Sequence, residues 1–493
     1  MQQLLVESVL LAVAGGMFGF VIAQWADILL VKLVSTTSNP IFLDLRPDAR
    51  IFALTLGVSV LTGILCGLVP GVRAARQEIN VTLSGTAKGS LGRGAHDTRL
   101  PAGRILVAGQ IAVSLAVLIV AGLFLRSFQS LTSQDPGFDH DHMLQFDVGF
   151  LEASGYKGPA VHRVHKDLLA RLETTPQIKG ATLAFMGLFA GDDTGSQISL
   201  DGSTPKSGSD NYIREDLVPA GHFAAIGQPM VLGREFTADD ERGTQAVGVI
   251  NQTFARKYFG NTDPLGKRVW YDHDHPQSFM IIGVVGDAKH NSLREPASPQ
   301  FYLPFFNPKG DEPSFCSFEV RYSGNPTAVT AAIRAAVREV APGVPPVEIR
   351  TMNELMGETL ITERAIRQLS TIFGLLALLL AAIGLYGVTS YNVTGRTNEI
   401  GIRMSLGAQP GDIVKLVLRE ILILVGIGVG LGLPSMWAIK NIVATQLFGI
   451  SALDPLAICG ATFVLAAVAM LAGYLPARWA SRVDPLHALR YDG

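Results

Sequence analysis

The sequence predicts an α-helical membrane protein with about six transmembrane helices plus an α/β (α+β) extracytoplasmic domain. Three observations support this. There are six long apolar runs, basic residues crowd three short stretches, and a long polar region between the third and fourth runs alternates strand-like with helix-like patterns.

The runs are Ser8–Ala26, Ile51–Val72, Ile105–Leu125, Leu369–Thr394, Ile421–Ile439 and Leu456–Ala477. Each is about 19 to 26 residues long, enough for a hydrocarbon core about 30 Å thick. The first run has Glu7 and Asp27 at its ends and no basic start, so it reads as an uncleaved helix rather than a signal peptide. Arg73, Arg76, Lys88, Arg93, Arg99 and Arg104 form one basic cluster, Arg396, Arg403, Lys415 and Arg419 a second, and Arg478, Arg482 and Arg490 a third. The positive-inside rule makes these stretches, and the amino terminus, cytoplasmic, and the long region between the third and fourth runs, residues 127–364, extracytoplasmic. The formal net charge is −2, with no basic groove interleaved with aromatics, so nucleic acid is not a partner. The three cysteines imply neither a disulfide framework nor a metal site.

An internal repeat organises the membrane part. Laid without a gap, Asp48, Val58, Leu65 and Gly67 fall on Asp454, Val464, Leu471 and Gly473. Beyond the span, Pro70, Ala74 and Arg76 fall on Pro476, Ala480 and Arg482, a shared P-x-x-x-A-x-R element where each helix leaves the bilayer. Upstream, Glu7, Gly15 and Gly19 pair with Glu420, Gly428 and Gly432. The first copy has no counterpart of the soluble region or the fourth span. Residues 85–103, rich in Gly with Ser, His and Arg, read as a flexible cytoplasmic linker.

In the polar region, Val247–Ile250 reads as a buried strand, Gln252–Phe259 as a helix and Met280–Val285 as a second strand. Phe315–Tyr322 alternates as a half-exposed strand, and Ala328–Val340 has helical apolar spacing. Asp139-His140-Asp141-His142 and Asp272-His273-Asp274-His275 have the density of metal ligands but sit in turn-rich segments, where solvated polar residues are the default; no metal or other cofactor is assigned. His162 and His165 read as the wetted edge of a helix. No G-x-S-x-G elbow, H-E-x-x-H helix or Walker loop occurs, so no hydrolytic site is expected. The spans hold no charged residue to mark an ion pathway, and Gly374, Gly384, Gly426, Gly428, Gly430 and Gly432 allow close helix packing.

The most informative stretch is Arg396–Ala408, a charged helix-like segment between two spans. Arg396, Glu399 and Arg403 fall on approximately one helical face and offer charge pairs to a partner, while Ile400, Met404 and Leu406 offer an apolar grip. Gly407-Ala408 ends the helix and Pro410 bars its continuation. Glu420, at the foot of the next span, reads as a helix-entry residue or a pair for Arg419 or Arg403.

This stretch carries Arg396, Glu399, Ile400, Gly401, Arg403, Leu406, Gly407 and Ala408 in the pattern R-x-x-E-I-G-I-R-x-x-L-G-A, which resembles the signature of the MacB/FtsX-like permease subunits of ABC transporters. The end of the chain, Pro476–Arg490, is similar to the family's terminal element. The segments beginning at Val247, Asp263 and Ile281, and the stretch Pro219–Phe236, are similar to its periplasmic core domain. The likeness is strongest to the family's duplicated orphan permeases.

That resemblance implies the following division. Residues 1–84 are the last two helices of a truncated first FtsX-like core, 85–103 the linker, 104–126 a transmembrane helix, 127–364 a MacB-like periplasmic core domain, and 365–493 an FtsX-like permease domain with three helices. It also implies a non-catalytic subunit that relays the motion of a separate ABC ATP-binding subunit across the membrane, in efflux or envelope export. A second permease half or a homodimer is the further partner implied. Family members ordinarily begin with a span before the first soluble domain, whereas this chain begins at what corresponds to the penultimate span of a first core. The alternatives are a membrane-anchored scaffold or regulator of an envelope partner, and a non-functional fragment of a duplicated permease.

Overall fold

The structure is a computed structural model that describes residues 2–34, 49–50, 52–64, 102–149, 151–191, 194–200, 212–243, 245–272, 276–306, 313 and 315–482. Two compact units result. One is helical, built from residues 1–126, 362–447 and 451–493; the other is mixed, built from residues 127–361 together with 448–450.

The helical unit begins with α1 (Gln2–Val34), α2 (Phe52–Ile64) and α3 (Ala102–Thr132). The mixed unit follows as β1 (Met143–Val148), α4 (Pro159–Glu173), β2 (Ile178–Ala184), β3 (Gly195–Ser199), β4 (Tyr212–Val218), α5 (His222–Ile226), β5 (Met230–Gly233), α6 (Ala238–Arg242), β6 (Val247–Asn251) and α7 (Gln252–Phe259). It continues through β7 (Arg268–Asp272), β8 (Pro276–Val285), β9 (Gln300–Pro304), β10 (Cys316–Tyr322), α8 (Pro326–Val340), β11 (Ile349–Thr351) and α9 (Met352–Glu358). The chain then returns to helices α10 (Ile361–Gly395), α11 (Thr397–Ser405), α12 (Pro410–Ala444) and α13 (Pro455–Ala480).

Among the described residues, five helices are long and apolar enough to cross a membrane, in α1, α3, α10, α12 and α13. Of the six expected spans, the second is described only as the shorter apolar helix Phe52–Ile64; the rest of it lies outside the described residues. At 1.5 Å per residue, α10 and α12 run to about 50 Å, longer than a hydrocarbon core.

Glycine seats α3 among its neighbours. A Cβ on Gly428 of α12 would lie 2.7 Å from Ile111 Cβ, and one on Gly432 would lie 3.0 Å from the Ala112 carbonyl oxygen. Gly374 of α10 faces Ala121 and Leu118 of α3, Gly384 faces Gln110, and Gly122 of α3 itself faces Ala457 of α13. Close backbone approach of this kind holds helices together where lipid tails are as apolar as the side chains. Gly426 and Gly430, read from the sequence as packing residues too, face open space. Ile111, Leu115, Ile119 and Leu123, four residues apart, form the buried stripe of α3. Arg126, near the end of α3, pairs with Asp454, which caps α13 by accepting from Ala457 N at 2.9 Å.

The mixed unit contains two sheets. In one, the order is β11-β1-β10-β2, all antiparallel; in the other it is β5-β8-β6-β9-β4-β3-β7. In the second sheet β7 also pairs with β8, closing β8, β6, β9, β4, β3 and β7 into a ring around Phe279, Phe301, Ile281 and Val269. The first sheet packs Phe146, Phe318 and Val320 against α4 and α8. Asn251 ends β6 and starts α7: its Oδ1 accepts from Phe254 N at 2.8 Å and from Gln300 N at 3.0 Å.

Two sequence expectations are corrected here. β10 is not half-exposed. Cys316, Phe318 and Val320 face one core, and Ser317 and Glu319 on the opposite face are also buried, because residues 185–189 cross over them. That strap is pinned from both sheets: Phe185 N donates to Leu217 O, Met186 N to Asp216 Oδ1 at 3.1 Å, and Leu188 N to Glu319 Oε1 at 2.9 Å. Nor is His165 a wetted edge. It has no exposed surface, because α4 turns Val161, Val164, His165, Leu168 and Leu172 to the core at helical spacing, and its ring lies edge-on to Phe305.

The burial of these polar groups shifts their titration. Burial pushes the Asp216 carboxyl up to about 7 and that of Glu319 up to about 8, against the backbone donors that favour their anions. Burial holds His165 down to about 4, and His222 and His290 down to about 3. His222 Nδ1 lies 3.0 Å from Thr182 Oγ1, and His290 Nε2 lies 3.2 Å from the Tyr302 hydroxyl.

Candidate coupling site

The break between α10 and α11 falls at Arg396, so the predicted short helix exists and is separate from the span before it. Its end is set by glycine. Gly407 adopts φ +101°, Ala408 N donates to Arg403 O at 3.0 Å, and Gly407 N donates to Met404 O at 3.0 Å. This is a Schellman arrangement, which needs a residue that tolerates the left-handed region. After it, Pro410 opens α12 at a position where its missing N–H costs nothing, and Gln409 N donates to Asp412 Oδ2 at 3.2 Å.

The structure divides the site residues between two faces. Ile400 is buried, packed with Ile413 of α12 and Ala480 of α13, with Val393 and Met404 at the edge of that cluster. Ile400 therefore seats α11 on its own chain and is not part of an outward apolar grip. Leu406, 82% exposed, and Ile402, 46% exposed, are the apolar groups α11 leaves open. Gly401 is buried on the seated side. The rotation of α11 depends on Ala480, so the alanine of the P-x-x-x-A-x-R element lies beneath the helix. Pro476 is also buried within α13, and Arg482 is exposed just past its end. Pro70, Ala74 and Arg76 of the first copy lie outside the described residues.

The charges are already partnered. Arg396 Nη1 donates to Glu420 Oε1 at 2.7 Å, and Arg104 Nη2, from the start of α3, donates to Glu420 Oε2 at 3.1 Å. Glu420 therefore pairs with Arg396 and Arg104 rather than with Arg419 or Arg403, and joins α3, the start of α11 and α12 at one point. Arg403 Nη2 donates to Glu399 Oε1 at 2.6 Å, one turn apart on the helix. Both of these side chains are about half exposed, and such a pair is worth about 0.3–0.5 kcal/mol, so exchanging it for charges on another surface costs little. Arg396, Glu399, Arg403, Asn392, Leu416 and Glu420 line a small cleft. Sequence reading missed Arg104 and Ile413 as members of the site. The basic start of the third apolar run was the available signal for Arg104; nothing local marks Ile413.

The two metal-ligand-like runs fall elsewhere. His140 Nδ1 lies 3.0 Å from Asn353 Oδ1 and Asp139 lies 3.6 Å from Arg321, while His273, Asp274 and His275 lie outside the described residues. Among the described residues no group of three or more His, Cys, Asp or Glu is arranged to hold a metal.

Comparison with known proteins places the chain. Among solved structures, the periplasmic region of MacB from Actinobacillus actinomycetemcomitans matches at 18% identity with a TM-score of 0.33, covering 46% of this chain and 97% of that one. The uncharacterised ABC transporter permease YknZ of Bacillus subtilis is 31% identical over 274 residues, 53% of this chain and 65% of that protein. The macrolide export ATP-binding/permease protein MacB of an Azoarcus strain is 30% identical over 276 residues, 53% of this chain and 40% of that protein. The pyoverdine export ATP-binding/permease protein PvdT of Pseudomonas syringae is 26% identical over 275 residues, 54% of this chain and 41% of that protein. The chain thus matches less than two thirds of the length of each of these relatives. The family description "MacB-like periplasmic core domain" matches residues 105–341, and "FtsX-like permease C-terminal" matches residues 371–485, which takes in α11 and its flanking helices. Carrying both domains in succession, the chain belongs to the MacB/FtsX-like family of ABC transporter permeases.

Proposed function

We propose that this chain is the non-catalytic membrane subunit of an ABC system in the bacterial inner membrane, passing the motion of a separate ATP-binding subunit to the mixed unit outside the membrane. The observation that carries the reading is the two-faced α11. Its inner face is locked to α12 and α13 through Ile400, Ile413 and Ala480, and its outer face leaves Leu406, Ile402 and a cheaply exchanged Glu399–Arg403 pair open. A lever needs both properties, since a push on the outer face must move the spans rather than unseat the helix. ATP hydrolysis belongs to the partner, and the chain contributes a docking surface and a relay. Two relatives bear the names of exporters, so the work we assign is export or efflux from the envelope.

The test is a charge reversal on α11, in which Arg396→Glu also breaks the pair with Glu420, while Glu399→Arg with Arg403→Glu alone is the arm that spares the seat. The full chain carrying Arg396→Glu, Glu399→Arg and Arg403→Glu is expected to lose co-purification with its ATP-binding subunit. Stimulated ATP turnover is expected to drop by at least about tenfold, the equivalent of about 1.4 kcal/mol of lost association. Single replacement of Arg403 is expected to have a smaller effect, because one exposed ion pair is weak. Unchanged binding and turnover in the triple variant would overturn the reading and favour a scaffold that works without an ATPase.

A further inference from the structure

We propose that residues 185–189 are a proton-held joint of the mixed unit: Glu319 keeps its proton in the folded chain and shares it with Gln145, and loss of that proton releases the strap from β10. The joint lies wholly within the mixed unit and needs no ATP-binding partner.

The chain crosses between the two sheets twice, after β2 and after β9, and the strap opens the first crossing. Its amides divide between the sheets it joins. Phe185 N and Met186 N bond to Leu217 and Asp216 of β4, and Leu188 N bonds to Glu319 of β10. Gly187, φ +70°, lies flat on Ser317, where a Cβ would stand 2.5 Å from the serine Cβ. Phe189, φ 55°, is in the left-handed region although it is not glycine, a conformation that persists only where the surroundings impose it. Its N donates to His290 O at 2.6 Å, and the Leu188 and Phe189 side chains join a cluster with Leu131, Met352 and Leu355. Beyond its continuity with β2, the strap's one hydrogen-bonded hold on the first sheet among the described residues is the Glu319 carboxyl.

Glu319 stands in a row of buried polar groups. Gln145 of β1 and Thr182 of β2 lie directly opposite it, so the three share a face of the sheet. Thr182 Oγ1 is occupied, 3.0 Å from His222 Nδ1 of α5. Among the described residues, neither Glu319 Oε2 nor Gln145 Oε1 has a hydrogen-bond partner. Two facing acceptors leave each other unsatisfied, whereas a proton on Oε2 satisfies both, because the acid then donates to the amide oxygen.

The surrounding charges favour that proton. On the same face Arg321 pairs with Asp139 at 3.6 Å, and Ser317 donates to Asp147 at 2.6 Å. Arg350 of β11, opposite Gln145, pairs with Glu358 at 3.0 Å. Each nearby guanidinium thus has another carboxylate. From the second sheet, Glu215 and Tyr302 act on Asp216, while Arg214 and Asp287 act on Tyr302, and Arg214 and His222 on His290. Burial, helped by the Asp216 charge, pushes the Glu319 carboxyl up to about 8 against the Leu188 amide. Without the proton, two buried carboxylates and an unmatched amide oxygen meet beneath the strap, and water reaches them only if the strap lifts.

Infrared spectroscopy of the full chain in detergent, followed from about pH 6 to pH 9, reads the proton directly. A protonated-carboxyl band is expected at the acid end, lost near pH 8 and absent from Glu319→Gln, while the Asp216 band, lost near pH 7, remains in that variant. Pulsed hydrogen–deuterium exchange, corrected for the intrinsic effect of pH, reads the joint. Over the same range exchange of the 185–189 amides is expected to rise at least about 100-fold, from the two pH units below the Glu319 midpoint, and by less in β6 and β9. Glu319→Gln keeps a carbonyl oxygen for Leu188 N and gains an amide donor for Gln145, so only the rise of about tenfold due to Asp216 should remain. A wild-type spectrum matching Glu319→Gln at pH 6 would mean an ionised Glu319, held by a turned Gln145 amide or a bound cation, and would overturn the proposal. Equal pH dependence of strap exchange in the two proteins would do the same. So would a rise in β6 and β9 equal to that in the strap, a comparison that stands on the wild-type chain alone.

Discussion

Gly428→Leu is expected to destabilise the helical unit by about 1–3 kcal/mol, whereas Gly430→Leu, two residues further along the same helix, leaves it unchanged. Composition and helix propensity change identically in the two variants, so propensity cannot separate them. At Gly428 a side chain would have to occupy space held by Ile111, 2.7 Å from the missing Cβ, and by the Ala108 carbonyl oxygen at 3.3 Å; the backbone oxygen cannot rotate away. At Gly430 nothing lies within 4 Å. Thermal unfolding of the full chain in detergent reads the difference. Equal midpoints for the two variants would mean that α3 is not held on α12 through Gly428. Because α12 also carries Glu420 and Ile413, which seat α11, Gly428→Leu should in addition weaken ATPase coupling without altering any residue on the outer face of α11.

The second large effect is a stability maximum near pH 6.5, set by the buried groups around the strap of residues 185–189. The carboxyls of Asp216 and Glu319 titrate near 3.8 and 4.5 when unfolded and near 7 and 8 when folded. Between those values the folded chain holds protons that the unfolded chain has released. Their contribution is therefore complete below pH 4 and is lost as pH rises through 7 and 8. The histidines behave oppositely. His165, His222 and His290 titrate near 6.5 when unfolded and near 3 to 4 when folded, so their contribution is complete above pH 6.5 and is lost as pH falls. In the intermediate range three histidines slightly outweigh two acids, and above it only the acids act. From about pH 6.5 to 8.5 the loss amounts to about 1–2 kcal/mol, at 1.36 kcal/mol per unit of proton difference. Asp216→Asn with Glu319→Gln, which keep carbonyl oxygens for the strap amides, should flatten the alkaline limb of the stability–pH curve and steepen the acid limb, where the histidines then act unopposed. An alkaline limb unchanged by that pair would place the titration elsewhere.

The elements read correctly from sequence are those whose signals are local. α7 was legible at both ends because Asn251 caps its start and Gly260 follows Phe259. α11 ends where Gly407 predicts, because a left-handed residue is needed there and glycine supplies it. Errors arise where the deciding contact is remote in the chain. Ser317 and Glu319 look outward-facing in an alternating strand until residues 185–189, far upstream, are laid over them. His165 counts as polar in any pattern, although its neighbours at helical spacing belong to the core. For the coupling site, the helix and its charges were visible, but its rotation was not. Ile400 and Leu406 are both apolar and only the position of Ala480 makes one a seat and the other a contact. The partner of Glu420 was misread for the same reason, since Arg104 is brought to it by the packing of α3.

The relay itself is tested most directly by hydrogen–deuterium exchange on the full chain in complex with its ATP-binding subunit, comparing the nucleotide-free state with the state trapped by ADP and vanadate. The account predicts that protection changes together at Thr397–Ser405 and in the strands of the mixed unit, and that both changes disappear in the Arg396→Glu, Glu399→Arg, Arg403→Glu variant. Normal ATP turnover accompanied by changes confined to α11, or by none in the mixed unit, would contradict it.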